Sequence, residues 1–251
     1  MELAGIDVGS RTIELVALEG EQVALRRRTE TTYDPLAQCR TLMDGVDGVP
    51  VVATGYGRKL FAEAFHAPAV TEIRAYALGA RHLFPACRAV LDIGGQDTKA
   101  IALGPRGRVE KFEMNDRCAA GTGKFLEFMA AAFGVPVEDF GPYALKGRPG
   151  LSINSMCTVF AQTEATSLMA RGQRAEDIAL ALHHSVVRRS LAMVGRVAHA
   201  SPLVFAGGVA RNPCIVELLR GECDLEVLVP EEPDMMGALG AALHARGTLG
   251  R

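Results

Sequence analysis

Short blocks of apolar residues, several closed by glycine, alternate along the chain with stretches whose apolar positions recur every three or four residues. The blocks read as strands and the stretches as helices. Leu3 to Leu18 predicts a strand, a Gly-Ser turn and a returning strand, and Val90 to Ile101 predicts the same unit again. Val51 to Thr54 and Leu203 to Ala206 are further strands, each running into a glycine turn, and Asp224 to Val229 is a late strand. Helical spacing covers Phe61 to Phe65 and Thr71 to Ala80, where Glu72 is a cap, a hinge residue or a catalytic acid. It returns with Phe125, Phe128, Met129 and Ala132, a helix that Gly134 and Pro136 stop. A helix after Cys157, capped by Ser155 or Thr158, runs to about Ala170 and stops at Gly172. A long helix then spans about Ala175 to Ala198 with Ile178, Leu182, Val186 and Val194 on one face. Another helix begins near Asn212 and Pro213, and Met235 to Ala245 is a closing Ala/Gly-rich helix suited to close packing.

Two of the strand–turn–strand units carry an acid at the same place. Asp7-Val8-Gly9-Ser10 and Asp92-Ile93-Gly94-Gly95 align Asp7 with Asp92, Gly9 with Gly94 and Ser10 with Gly95. Repetition of this kind implies two duplicated lobes facing one another across a cleft. A glycine turn presents backbone N–H groups to phosphate, and an acid at the strand end holds Mg²⁺ through water. With the Gly207-Gly208 turn as a third such element, the chain reads as an α/β protein holding a nucleotide between two lobes. The expected division is residues 1–87 plus 234–251 for lobe I and residues 88–233 for lobe II. No Gly-x-x-x-x-Gly-Lys-Ser/Thr is present, which removes the P-loop alternative.

Composition narrows the classes. A chain of 251 residues, 49% hydrophobic and 22% charged, has material for a sizeable core. A net charge of −2 gives no electrostatic case for nucleic acid, and Arg26-Arg27-Arg28 reads as an isolated, solvated strand end or turn. Met1 leads straight into the first strand, and no apolar run reaches the ~18 residues a bilayer span needs. The expected setting is cytoplasmic, without a membrane, where six cysteines are not structural disulfides.

Two of those cysteines stand out. Cys118 precedes the turn Gly121-Thr122-Gly123-Lys124, and Cys157 likewise sits at the start of a helix. A helix N-terminus carries free N–H groups and a positive dipole end, so a thiol there ionises readily, and a glycine turn there also offers an anion cradle. Two thiolates do not complete a tetrahedral zinc or iron–sulfur site, and there is no Cys-x-x-Cys; a two-fold dimer would double the count to four. The other reading, small buried side chains, is taken for Cys39, Cys87, Cys214 and Cys223 and stays open for this pair. His183 and His184 are adjacent on a helix and point apart, which favours interhelical or solvated positions over a shared metal.

The strand-ending turns resemble those of the superfamily of actin, heat-shock chaperone ATPases and sugar kinases. The run Asn115-Asp116-Arg117-Cys118-Ala119-Ala120-Gly121-Thr122-Gly123-Lys124-Phe125-Leu126 and the run from Cys157 to Glu164 are more specific. Together with Ala53 to Arg58, Asp92 to Lys99 and Gly207 to Ala210, they resemble the activators of 2-hydroxyacyl-CoA dehydratases, a family that includes the ATPase subunits of benzoyl-CoA reductase. The resemblance implies two actin-like, ribonuclease H-like lobes with mixed sheets flanked by helices and a nucleotide cleft between them. It implies a homodimer with one bridging 4Fe–4S cluster held by Cys118 and Cys157 of each chain. MgATP hydrolysis would drive low-potential electron transfer to a partner iron–sulfur dehydratase or reductase, with ferredoxin or flavodoxin as donor. In that scheme Asp7 and Asp92 organise Mg²⁺, and Gln96 positions water with Glu164 or Asp97 nearby. Gly9, Ser10, Arg11, Gly94, Gly95, Asp97, Lys99 and the turn Gly121, Thr122, Gly123, Lys124 hold phosphate, and Gly207 and Gly208 support adenosine. Many members carry Lys where this chain has Glu14, His where it has Tyr76, and some carry Glu where it has Gln162. The competing readings are a reductase for a double-cubane-cluster protein, a small-molecule kinase, and a regulatory ATPase with inert cysteines.

Overall fold

A computed structural model of the protein describes residues 1–154 and 157–249. The expected cap Ser155 lies outside the described residues. The first sheet is built from β1 (Leu3–Val8), β2 (Thr12–Glu19), β3 (Gln22–Glu30) and β4 (Val51–Thr54), in the order β3-β2-β1-β4. The second is built from β5 (Ala89–Ile93), β6 (Thr98–Leu103), β7 (Val109–Asn115), β8 (Leu203–Ala206) and β9 (Val227–Leu228), in the order β7-β6-β5-β8-β9. In each, three antiparallel strands in sequence are followed by a parallel one beside the first: β4 on β1, β8 on β5. The strands are mixed sheets made twice from one plan, which is what the repeated Asp-x-Gly unit requires.

Strand alternation decides what each face meets. In β1, Ala4, Ile6 and Val8 point into a cluster with Cys39, Leu42 and Phe61 from α1 (Pro35–Leu42) and α2 (Arg58–Phe65). The alternate residues, among them Gly5 and Asp7, face the closing helix α9 (Met236–Leu249). A Cβ at Gly5 would fall 2.2 Å from the carbonyl oxygen of Ala238, so α9 lies backbone to backbone on β1 because this strand carries glycine there. Helix α3 (Glu72–Leu83) packs against α9, and its Tyr76, Ala77 and Ala80 meet Val90, Ile101 and Val204 of the second sheet. The other face of that sheet, through Leu91, Ile93 and Phe205, is covered by α4 (Gly123–Ala132), α5 (Val137–Ala144), α7 (Ala175–Val197) and α8 (Pro213–Glu222). Phe125, Phe140 and Phe205 are fully buried there, each contributing about 2–3 kcal/mol of transfer free energy.

Several expectations shift in detail. Helix α4 buries Phe125, Leu126, Met129 and Ala130, while Phe128 is 41% exposed, so the buried stripe is not the one through Phe128 and Ala132. Helix α6 (Thr158–Ala170) has Cys157 at its N-cap with no side-chain cap, and Thr158 is its first residue. Arg26, Arg27 and Arg28 lie inside β3, and each has a partner: Glu232, the Leu42 carbonyl and Asp234 respectively. Among the described residues no helix is long and apolar enough to cross a membrane.

Candidate functional site

Asp7 and Asp92 occupy matching points of the two sheets. Asp7 pairs in register with Glu14 on one side and Thr54 on the other; Asp92 pairs with Lys99 and Ala206. The turns that follow close alike, with Gly9 N–H donating to Thr12 O at 3.0 Å and Gly94 N–H to Asp97 O at 2.9 Å. Gly55 and Gly207, just beyond the parallel strands, form a second matched pair, with φ of +91° and +85°. A Cβ on either would sit 2.3 Å from Oδ1 of the adjacent Asp7 or Asp92, so only glycine fits. The duplication thus reaches a fourth turn. These turns frame a cleft of about 1040 Å³ between the sheets, lined by Asp7, Gly9, Ser10 and Arg11 from one side. Asp92, Gly94, Gly95, Gln96, Asp97, Lys99, Gly123, Lys124, Gly207 and Gly208 line the other.

The matched acids differ in their surroundings. Lys99 is 2% exposed, with Nζ 2.7 Å from Glu72, 2.7 Å from Asp97 and 3.0 Å from Asp92, and 5.7 Å from the Tyr76 ring centroid. Burial opposes its charge, yet the three carboxylates hold its pKa well above the usual lysine range. Burial pushes Asp92 upward against the pull of Lys99. Beside Asp7 the equivalent position holds Glu14, a second buried carboxylate, so burial and the Glu14 charge together raise Asp7 well above a normal aspartate. Burial pushes Glu14 itself up to about 8. Glu14 Oε1 and Asp92 Oδ1 are buried without a hydrogen-bond partner. Cation charge near Glu14 comes instead from Arg28 on β3 and Arg211 beyond the Gly207 turn. Both grip Asp234, Arg211 on Oδ1 at 2.7 Å and Arg28 on Oδ2. Burial raises Asp234, but the hydrogen bonds from Arg211 and Arg28 outweigh it and hold the carboxyl low. Sequence reading missed this arginine pair, Asp234 and the tether from Glu72 to Lys99; no local signal links residues so far apart in the chain.

An excess of buried carboxylate with orphaned oxygens fits a divalent cation. Among the described residues no group of three His, Cys, Asp or Glu side chains is placed to hold a metal ion by itself, and the carboxylates around Lys99 are already taken by its ammonium. The donor set therefore suits Mg²⁺ in its usual manner, held by one or two carboxylates, water and a ligand's phosphates.

The glycine turn before α4 is tied to the Gly94-Gly95 turn. Gly123 N–H donates to Gly94 O at 2.9 Å and Lys124 N–H to Gly95 O at 2.8 Å, so these N–H groups serve the neighbouring turn and not a free anion cradle. Thr98 Oγ1 donates to Gly121 O at 2.9 Å, and Asn115 Nδ2 to Cys118 O at 2.9 Å. Gly121 and Thr122 are buried behind the cleft. Cys118 is exposed, separated from α4 by Ala119 to Thr122, whereas Cys157, also exposed, stands directly at the head of α6. Both thiols share the charge field of Arg189 on α7. One chain therefore supplies two accessible soft ligands, half of what a 4Fe–4S cluster takes. Cys39, Cys87 and Cys214 are buried and Cys223 half-buried; burial pushes Cys39 and Cys87 up to about 11 and Cys214 to about 12.

The remaining expected residues divide. Gln96 is exposed in the cleft, and Arg11 crosses its mouth to Glu127 at 2.6 Å. Glu164 lies apart, lining a hollow on α6 with Phe160 and Arg171 and accepting from Asn154 N–H at 3.3 Å. His183 is buried between α7 and α8, and His184 Nδ1 meets Glu222 at 2.6 Å.

Known proteins resemble this chain in sequence and fold. The chain is 37% identical over 254 residues to the 2-hydroxyisocaproyl-CoA dehydratase activator of Clostridioides difficile, covering 98% of this chain and 95% of that one. Its fold matches the solved structure of that activator from Clostridium difficile with bound ADPNP at a TM-score of 0.89 and 36% identity, over 98% and 94% of the two chains. It matches component A of the Acidaminococcus fermentans (R)-2-hydroxyglutaryl-CoA dehydratase at a TM-score of 0.92 and 32% identity, over 99% of each. ROK family sugar kinases share the actin-like fold alone. A family profile covers residues 4–245, and the chain belongs to the BadF/BadG/BcrA/BcrD ATPase family.

Proposed function

We propose that this protein is an ATP-dependent activator that couples ATP hydrolysis to single-electron transfer into a partner iron–sulfur enzyme of the 2-hydroxyacyl-CoA dehydratase or benzoyl-CoA reductase type. Two copies pair so that Cys118 and Cys157 of each hold one 4Fe–4S cluster between them. Bound there, the cluster supplies a one-electron carrier fed by ferredoxin or flavodoxin. The lobes divide as residues 1–87 with 234–251, and residues 88–233.

The observation that carries this reading is the pair of backbone hydrogen bonds from Gly123 and Lys124 to Gly94 and Gly95. They join the turn that faces phosphate to the turn that bears Cys118, without an intervening side chain. In the mechanism, Asp7 lies on the cation side of the cleft, because Lys99 already neutralises Asp92. Gly9, Ser10, Gly94 and Gly95 offer N–H donors to phosphate, and Gln96 orients the attacking water. Loss of the γ-phosphate shifts the Gly94-Gly95 turn, and its two hydrogen bonds carry that shift to Cys118. Glu164 is given no catalytic part.

Cys118→Ala tests the reading. The expected result, after anaerobic purification, is loss of the visible iron–sulfur absorption and of partner activation, with ATP affinity within about twofold of the parent. Unchanged absorption, or an iron-free parent protein, refutes it.

A further inference from the structure

Helix α7 brings two adjacent arginines to the two cysteine segments. Arg188 Nη2 donates to Ile153 O at 2.8 Å, and Nη1 lies 3.4 Å from Ser152 Oγ, on the strap that leads to Cys157. Arg189 lies against the other strap: a Cβ at Gly121 would be 3.6 Å from its Cδ and 3.8 Å from its Cβ. Gly121 has a φ of +90°, a conformation that suits glycine, and the arginine stem lies at ordinary contact distance from its Cβ position. The flanking Val187 and Ser190 are buried, so the anchor for both arginines is fixed. Arg189 interacts electrostatically with Cys118 and with Cys157, and burial lowers its own pKa without removing its charge. Helix α7 thus sets the Arg189 stem against the strap that leads from Cys118, with both thiols within reach of its charge.

We infer that Arg189 is a positioning residue for the shared-cluster site, packing against the strap of Cys118 and fixing a positive charge near both sulfurs. The inference rests on the reading above. One-electron reduction, with a small low-potential iron–sulfur or flavin protein as reductant, adds one negative charge to the cluster and neither makes nor breaks a bond. A fixed cation nearby stabilises the more negative state and so raises the reduction potential. The pair of chains brings two such cations, one from each α7. Arg188, bound to a backbone carbonyl, holds its strap in place.

The experiment compares the anaerobic, cluster-loaded dimer of the parent with Arg189→Met and Arg189→Lys, using iron content, visible spectrum and a redox titration of the cluster. The expected result is a clear move to more negative potential for the Met variant, with iron retained, and a potential near the parent's for the Lys variant. Three results overturn the inference: no change in the Met variant, equal shifts in both variants, or iron lost from both while the parent keeps it. The last would make Arg189 a purely structural brace. An iron-free parent would instead sink the shared-cluster reading itself.

Discussion

Replacing Lys99 by Met separates two roles for this residue. The sequence pattern suggests a phosphate ligand; the structure shows an ammonium only 2% exposed and enclosed by Asp92, Asp97 and Glu72. Met fills most of the volume and removes only the charge. Breaking a buried ion pair costs about 3–5 kcal/mol, because the partner is left charged in low dielectric. The three partners differ in what they can do next. Asp97 has 26% of its side chain exposed and can turn to water, and Glu72 keeps Arg58 at 3.4 Å. Asp92 is 1% exposed and already has an unpartnered Oδ1, so it carries the penalty almost alone. The expected loss is therefore at the low end, about 3 kcal/mol.

With a urea m-value of about 3 kcal/mol/M for a chain of this size, the midpoint without nucleotide should fall by about 1 M. Asp92→Asn in the Lys99→Met background should recover half or more of that loss, because it removes the stranded charge. A double-mutant cycle then gives a coupling of about 2 kcal/mol. Circular dichroism against urea reads both. A midpoint within about 0.2 M of the parent, with nucleotide affinity down tenfold, would refute the reasoning and restore Lys99 as a phosphate ligand.

Two further outcomes follow from the burial of His183 and the close approach at Gly207. His183 is held neutral: Asn212 Oδ1 accepts from Ile215 N–H, which turns Nδ2 toward His183 Nε2 at 3.0 Å, and Nδ1–H donates to Ala179 O at 2.8 Å. Burial lowers its pKa to about 4 from 6.5, so its stabilising share is whole above pH 6.5 and fades as pH falls toward 4. The total is about 3 kcal/mol; urea midpoints measured across that range should show it, and His183→Gln should flatten that part of the profile. Gly207→Ala places a methyl 2.3 Å from Asp92 Oδ1 at a φ of +85°, and should cost about 1–3 kcal/mol in thermal unfolding without nucleotide. Gly208→Ala meets nothing within 4 Å and should stay within about 0.5 kcal/mol of the parent.

What could be read from the sequence was whatever repeats locally. Asp7-x-Gly9 and Asp92-x-Gly94 announced the paired sheets because a strand end, an acid and a glycine fit in four residues. Gly55 was harder to match with Gly207. Tyr56-Gly57 looks unlike Gly208-Val209, although both glycines solve one problem, a carboxylate in the space a Cβ would fill. Helix α4 misled because it is apolar on more than one side: Phe125, Leu126 and Phe128 all fit a helical stripe, and only the packed sheet chooses among them. The arginine run on β3 is exposed at Arg26 and Arg28, as read, but it lies inside the strand, and the partners Glu232 and Asp234 arrive from the far end of the chain and leave no local signal.

The link from cleft to cysteine was the least legible, and the reason is chemical. It consists of peptide groups, Gly94 and Gly95 accepting from Gly123 and Lys124, and a peptide hydrogen bond leaves no side-chain signature. Glycine permits the contact: a Cβ on Gly123 would press within 3.0 Å of Gly94 O. A residue chosen for what it lacks reads in the sequence as a turn, and its role appears only when the second turn is seen lying against the first. A bulkier residue at position 123 should therefore press on Gly94 and Gly95 and move the Cys118 turn away from the cleft. If Gly123→Val left iron, nucleotide affinity and their coupling unaltered, signal transfer through these two bonds would have to be abandoned.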